Sequence, residues 1–383
     1  LLREGYLWLP RRLQSSGGAP VRTRLGAMSV TGLTGSAALE FFYDENHVRR
    51  RGAIPRPILS TLFGHGAVHT LDGPQHRERK AMFLSLMSPH AVGPLVTRTA
   101  DAWDETAATW PQRQDVVLFD EAARILTRAV CAWSGISVPK EQIPPLAADL
   151  VVLVDGFATA GPRHWRARRR REAWLADVVR QVRSGSVFAP VGSALEVISH
   201  RRGPDGEVRE PATAAVELLN VLRPTVAICW FVAFAAHALH LHPQYRAVLR
   251  GGDPAFAAAF THEVRRFYPF VPFIGGRAVT DLHWRGEEIP AGSTVFVDLY
   301  GQNHDESLWP QPYRFLPERF LNRPIGAFDL VPQGGGDRPA AIAARANGSR
   351  SGCSKPCRCA WPLSTMTSRP RTSPSRPTVF RPG

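Results

Sequence analysis

The sequence predicts a mainly α-helical fold with a small β region, and three observations carry that expectation. Residues 216–241, VELLNVLRPTVAICWFVAFAAHALHL, form an apolar stretch of helical length. Amphipathic patterns of helical period recur on both sides of it, at 101–135, 147–160 and 254–268. Strand-like runs follow at 277–279, 282–284 and 294–299, joined by turns at RGEE and PAG. With 383 residues, 44% of them hydrophobic, the chain can bury a large core, as one big domain or two of ordinary size.

Charge and apolar content limit the partners. Of the net charge of +14, residues 338–383 contribute +9 (eight Arg, one Lys, no acid), which leaves +5 for the first 337 residues. The run RHWRARRRREAW at 163–174 has the composition of an RNA-binding stretch. Helical spacing nevertheless sets Trp165 on a different face from most of the arginines, so a surface helix and no nucleic-acid partner are expected. The longest apolar run, 225–239, is too short to span a bilayer, so no membrane partner is expected. The first residues, LLREGYLWLPRRLQ, lack the sustained apolar segment of a signal peptide, and Cys131 and Cys229 sit singly in apolar helical patterns. A cytoplasmic protein with reduced cysteines is the expectation.

Taken in order, residues 1–60 mix short apolar runs with Arg and Gly, and 39–57 reads as a helix ended by a proline-bounded turn. Between 59 and 92 a glycine-broken loop delivers His69, and an Asp72-Gly73-Pro74 turn opens a helix with His76, Arg79 and Lys80 on one face. Three such groups suit a carboxylate or phosphate, or simply a solvated face. In the central apolar stretch Arg223 is the one strong cation after Glu217. Two readings are open there. If Pro224 lies within the helix, it frees a carbonyl and opens a gap in which a buried guanidinium needs an anion; if Pro224 is instead a first helical residue, Arg223 is exposed before it. Glu263 and Arg266 lie three apart on the 254–268 helix, and an aromatic-rich irregular segment then ends at Pro317-Glu318-Arg319-Phe320.

Glu263-x-x-Arg266 followed about fifty residues later by Pro317-Glu318-Arg319-Phe320 resembles the paired signature of the cytochrome P450 fold. The resemblance implies that fold, haem b as cofactor, and a buried charge network of Glu263, Arg266 and Arg319, since two guanidiniums can satisfy both oxygens of one carboxylate. It also implies haem-propionate contacts at His76, Lys80 and Arg277. Three stretches, TLFGHGAVHTLDGPQHRERKAMFLSLM at 61–87, NVLRPTVA at 220–227 and FDLVPQGGGD at 328–337, resemble the bacterial fatty-acid peroxygenases more closely. This branch implies hydrogen peroxide as co-substrate, a fatty acid as substrate, no obligatory redox partner, and hydroxylation at the α or β carbon or decarboxylation. Arg223 and Pro224 stand where P450 monooxygenases place an acid and a threonine. By resemblance, Arg223 pairs with the substrate carboxylate, which itself serves as general acid and base for peroxide cleavage. His69 matches the position above the haem that influences hydroxylation versus decarboxylation, and Phe63 an aromatic that holds it.

The resemblance spans residues 1–337, taken as a P450-like domain incomplete at its C-terminal end. Beyond GGGD the family continues to His-Arg-Cys-Pro-Gly-Glu, whose cysteine is the axial iron ligand, whereas this chain has no cysteine there. Cys353, Cys357 and Cys359 come later, in a spacing that matches no common zinc pattern, so no metal ligand set is assigned. If residues 341–349 are coded GCC ATC GCT GCC CGG GCG AAT GGA TCG, starting at each third base gives CAT CGC TGC CCG GGC GAA TGG ATC, or His-Arg-Cys-Pro-Gly-Glu-Trp-Ile. The shifted cysteine straddles the codons of Ala343 and Ala344. Residues 338–383 are therefore expected to be an aberrant, disordered basic tail produced by a frameshift, the alternative being a naturally divergent tail. Two other functional readings stand beside the peroxygenase: an inactive remnant without haem ligation, and a P450 monooxygenase fed by a redox partner.

Overall fold

The central helix, Pro211–Val226, sets the architecture, because every residue from 214 to 227 except Pro224 is buried. The computed structural model describes residues 4–53, 63–155, 162–203 and 206–334. Pro224 lies inside the helix, where it withholds the amide that would bond the Asn220 carbonyl, and after Ala227 the chain continues as Ile228–Leu241. The span Pro211–Leu241 is long and apolar enough to cross a membrane by length and composition. With 72% of its most apolar window buried inside the fold, it is a core helix. The expectation from residues 225–239 alone underestimated this span, since the helix continues through Pro224 in both directions.

Around the central helix pack Leu118–Ser134, Ile143–Asp155 and Pro162–Arg183, which share its largest hydrophobic cluster through residues such as Val130, Leu150, Leu175 and Leu218. Glycine at 135, with φ 81°, ends the first of these in the left-handed conformation that a helix C-terminus favours. The arginine run on Pro162–Arg183 is largely neutralised within the fold. Arg163 meets Asp155 at 3.1 Å, Arg170 and Arg171 share Asp149, and buried Arg168 pairs with Glu172. Gly73–Leu86 and Pro89–Ala107 precede this bundle, and Pro254–Phe267 packs on Ile228–Leu241 through a second cluster that includes Phe231, Phe260 and Phe315.

The β region is larger than the sequence suggested. Strands β1 (Val21–Leu25), β2 (Met28–Leu33), β3 (Val48–Arg49), β4 (Phe273–Ala278) and β7 (Thr294–Asp298) form one sheet in the order β1-β2-β7-β4-β3, while β5 (Leu282–Trp284) and β6 (Glu287–Ile289) form a hairpin. The β2–β7 pair is parallel and brings Val30 opposite Thr294. β1 reads VRTRL, too short and too charged to stand out as a strand. β4 begins four residues earlier than its apolar pattern suggests because of Gly275-Gly276. A Cβ at Gly276 would sit 2.1 Å from Val48 Cγ1, and one at Gly275 2.7 Å from Phe296, so the two glycines let neighbouring side chains lie across the strand.

Candidate active site

Helix continuation through Pro224 buries Arg223, which is only 7% exposed. Its guanidinium donates from Nη2 to Asn220 Oδ1 at 3.3 Å and lies 5.6 Å from the Phe63 ring centre. Nε has no hydrogen-bond partner, and no carboxylate pairs with Arg223 among the described residues. Burial, with Arg168 nearby, pushes its pKa down to about 9, the direction expected of a buried cation without an anion. Glu217, the nearest acid upstream on the helix, is already taken by Arg79. Beside Arg223, Pro224 is the one exposed residue in a buried stretch, so the core helix has an open face there.

The segment facing this helix begins at Phe63, whose carbonyl accepts from Asn220 Nδ2 at 3.3 Å. Gly64 has φ +87°, and a Cβ there would approach Arg168 Nη1 to 2.6 Å and Glu172 Oε1 to 2.9 Å. His69 falls in a short 3-10 helix, Val68–Thr70, and its side chain lies outside the described residues.

On the helix Gly73–Leu86, the three cationic groups that share a face in the sequence part company. His76 is buried, with Nδ1 making no hydrogen bond but facing Glu45 Oε1, and Nε2 3.5 Å from Arg50 Nη1; its pKa is lowered by burial first and by Arg50 second. Glu45 stands 3.6 Å from the same ring. Lys80 is exposed, whereas Arg79 is buried against Glu217. Arg277 donates to the Gly52 and Gly292 carbonyls at 3.0 and 2.8 Å.

Glu263, Arg266 and Arg319 come together as one buried cluster. Glu263 is fully buried and accepts two bonds of 2.8 Å from Arg266, a third of 2.8 Å from the Leu316 amide, and lies 3.3 Å from Arg319 Nε. Arg266 Nη1 also reaches the Asn303 carbonyl at 2.9 Å, and Arg319 Nη1 the Pro310 carbonyl at 2.8 Å. The network therefore ties the helix Pro254–Phe267 to the irregular segment 303–320. Asn220, the Arg79–Glu217 pair and Arg168 were not singled out as site residues from the sequence. The signal that would have found them is a polar residue inside an apolar helical pattern, which for Asn220 and Glu217 is visible in the central stretch.

The solved structures similar to this chain include cytochrome P450EX alpha (CYP152N1) with myristic acid. It is 38% identical, covers 90% of this chain and 86% of its own, and has a TM-score of 0.84. Cytochrome P450SP alpha (CYP152B1) with (R)-ibuprophen is 38% identical, covering 95% and 88%, at a TM-score of 0.84. A variant of cytochrome P450 OleT with arachidonic acid is 36% identical, covering 90% and 85%, at 0.85. A Mycobacterium tuberculosis protein described as cytochrome P450 138 is 26% identical over 315 residues, 76% of this chain and 71% of its own. The cytochrome P450 family profile matches residues 255–339, a stretch that includes the Glu263, Arg266 and Arg319 cluster.

This chain belongs to the cytochrome P450 family, a family of haem oxidoreductases. Within the family its strong structural matches are to the CYP152 fatty-acid peroxygenases. The residues present fit haem on one side only. Arg50 and Lys80 beside His76 suit carboxylate groups, although Glu45 already stands 3.6 Å from His76 Nδ1, and the exposed Pro224 is where the central helix is accessible. The axial position is different, for Cys131 and Cys229 are buried in the helical core with thiols pushed up to about 12. The stretch where the family places its axial cysteine lies outside the described residues, and its sequence has no cysteine before Cys353.

Proposed function

We propose that residues 1–337 are the substrate side of a haem-thiolate peroxygenase that uses hydrogen peroxide to hydroxylate fatty acids at the α or β carbon, or to decarboxylate them. One observation carries the reading: Arg223 is a buried cation with an unpaired nitrogen and no carboxylate partner among the described residues. A guanidinium removed from water needs an anion, and a fatty-acid carboxylate supplies one while its chain fills apolar space. Arg223 fixes the carboxylate, and Asn220 and Phe63 orient the guanidinium. The bound carboxylate then takes and returns the proton in peroxide cleavage, a task for which the helix around Arg223 and Pro224 carries no free acid. His76, Lys80 and Arg277 would hold haem at its propionates, and a thiolate-ligated haem would supply the oxidising chemistry there. Fixing the carboxylate limits attack to the adjacent carbons, because orientation decides which C–H bonds come within reach. His69 biases the outcome between hydroxylation and decarboxylation.

Residues 338–383 are, in this proposal, translated out of frame, and the axial cysteine belongs to the shifted codons at Ala343 and Ala344. The test is a frame-restored protein given peroxide and a fatty acid without any reductase. Turnover of the acid but not of its methyl ester is the expected result. Turnover only with a redox partner would replace this reading with a monooxygenase. The sequence, with no cysteine between Cys229 and Cys353, favours a second reading for the chain as written, a haem-free carboxylate binder.

A further inference from the structure

The segment that carries Phe63 and His69 is tethered to the central helix at two backbone carbonyls. Asn220 holds the Phe63 carbonyl, and Arg79 Nη1 donates to the Gly66 carbonyl at 2.6 Å while also bonding Glu217. Glu217, Asn220 and Arg223 follow one another at three-residue intervals, so successive members are neighbours on the helix surface. We propose that Arg79 and Glu217 are a positioning pair for the carboxylate site: they fix the 63–70 segment on the central helix so that Phe63 stays over Arg223. The inference rests on the carboxylate reading of Arg223.

Three features support it. Arg79 and Glu217 are 7% and 1% exposed, and a buried ion pair seldom adds stability over an apolar pair of equal size, which leaves geometric specificity as its contribution. The same Arg79 nitrogen serves both Glu217 and Gly66, so the carboxylate aims the donor that holds the segment. Gly64 and Gly66 have φ of +87° and +71°, a backbone path with little side-chain restraint of its own, which makes external tethers decisive for its position. The helix Gly73–Leu86 keeps an independent anchor, because Glu78 meets Arg201 at 3.1 Å and Arg209 at 2.5 Å, so loss of Arg79 leaves that helix attached.

The test compares the full chain with Arg79→Met and Arg79→Lys, reading amide exchange across 63–72 and affinity for tetradecanoic acid. Arg79→Met should speed exchange at 64–70 about tenfold, leave 214–226 protected, and weaken acid binding about tenfold. Arg79→Lys should bring affinity back to within about threefold of the parent. Unchanged exchange in Arg79→Met, or equal impairment in both variants, would overturn the proposal. Parental binding of tetradecanoic acid no tighter than tetradecanol would instead remove the carboxylate reading, with the exchange data still deciding the tether.

Discussion

Replacing Arg223 by Met should stabilise the protein and abolish its ligand, two effects of opposite sign from one substitution. The guanidinium is buried, makes one hydrogen bond of 3.3 Å to a neutral amide, and leaves Nε unpaired. Holding such a charge out of water costs several kcal/mol, and apolar replacements of buried charges are often neutral or stabilising by about 1–4 kcal/mol. Asn220 Oδ1 loses its donor in the variant, at a cost of about 1 kcal/mol. The net expectation for the ligand-free chain is a gain of up to about 3 kcal/mol, read as a higher urea midpoint at unchanged slope. A fatty-acid carboxylate entering the variant site would have no cation, a loss of about 3–5 kcal/mol. At about 1.4 kcal/mol per decade, calorimetric titration should show affinity falling at least about a hundredfold. A variant that is less stable than the parent and binds the acid equally well would refute the reasoning, since Arg223 would then be a structural cation with its partner elsewhere.

The charge network and one buried acid give two further tests. Glu263→Gln leaves Arg266 and Arg319 without their shared carboxylate in a fully buried site, and should cost about 3–5 kcal/mol in urea unfolding; a loss below about 1 kcal/mol would mean that the backbone carbonyls at Asn303 and Pro310 suffice. Asp298 caps Leu299–Asn303 through the Gly301 amide at 2.8 Å, and burial raises its pKa from 3.8 to about 7. Its folded pKa lies above the unfolded one, so the folded state holds the proton longer. The stability present below about pH 4 is therefore lost as pH rises toward 7, by up to about 4 kcal/mol at 1.36 kcal/mol per unit. Asp298→Asn should flatten urea midpoints between pH 4 and 7.5 relative to the parent, and parallel profiles for the two proteins would contradict that assignment.

Arg223 was legible in the sequence because one cation in an apolar helical stretch is a chemical anomaly whatever the fold. Whether Pro224 began a helix or interrupted one was not legible, since proline is compatible with both; burial on both sides of it decided the matter. Glu263, Arg266 and Arg319 were legible as a spaced motif that the fold brings into contact. The pairing of Arg79 with Glu217, 138 residues apart, was not, because i, i+3 and i+4 spacing gives a shared face without saying what covers it. There the trio that the sequence left open between an anion grip and a solvated face resolves into a buried ion pair, a buried histidine and an exposed lysine. β1 and β2 were missed for a related reason: they are held by pairing with each other and, for β2, with β7, and neither the alternating Arg of VRTRL nor the Gly-containing MSVTGL carries much local signal.

In the proposed reading the chain as written keeps a carboxylate site at Arg223 but lacks the axial thiolate, and the reduced carbon-monoxide spectrum after haem reconstitution tests the thiolate half of that reading when recorded beside the frame-restored protein. The account predicts a strongly red-shifted Soret band for the frame-restored protein, and either no haem or a band typical of nitrogen ligation for the chain as written. A strongly red-shifted band from the chain as written would contradict it, because a cysteine now placed in the core or in residues 338–383 would have to reach the iron.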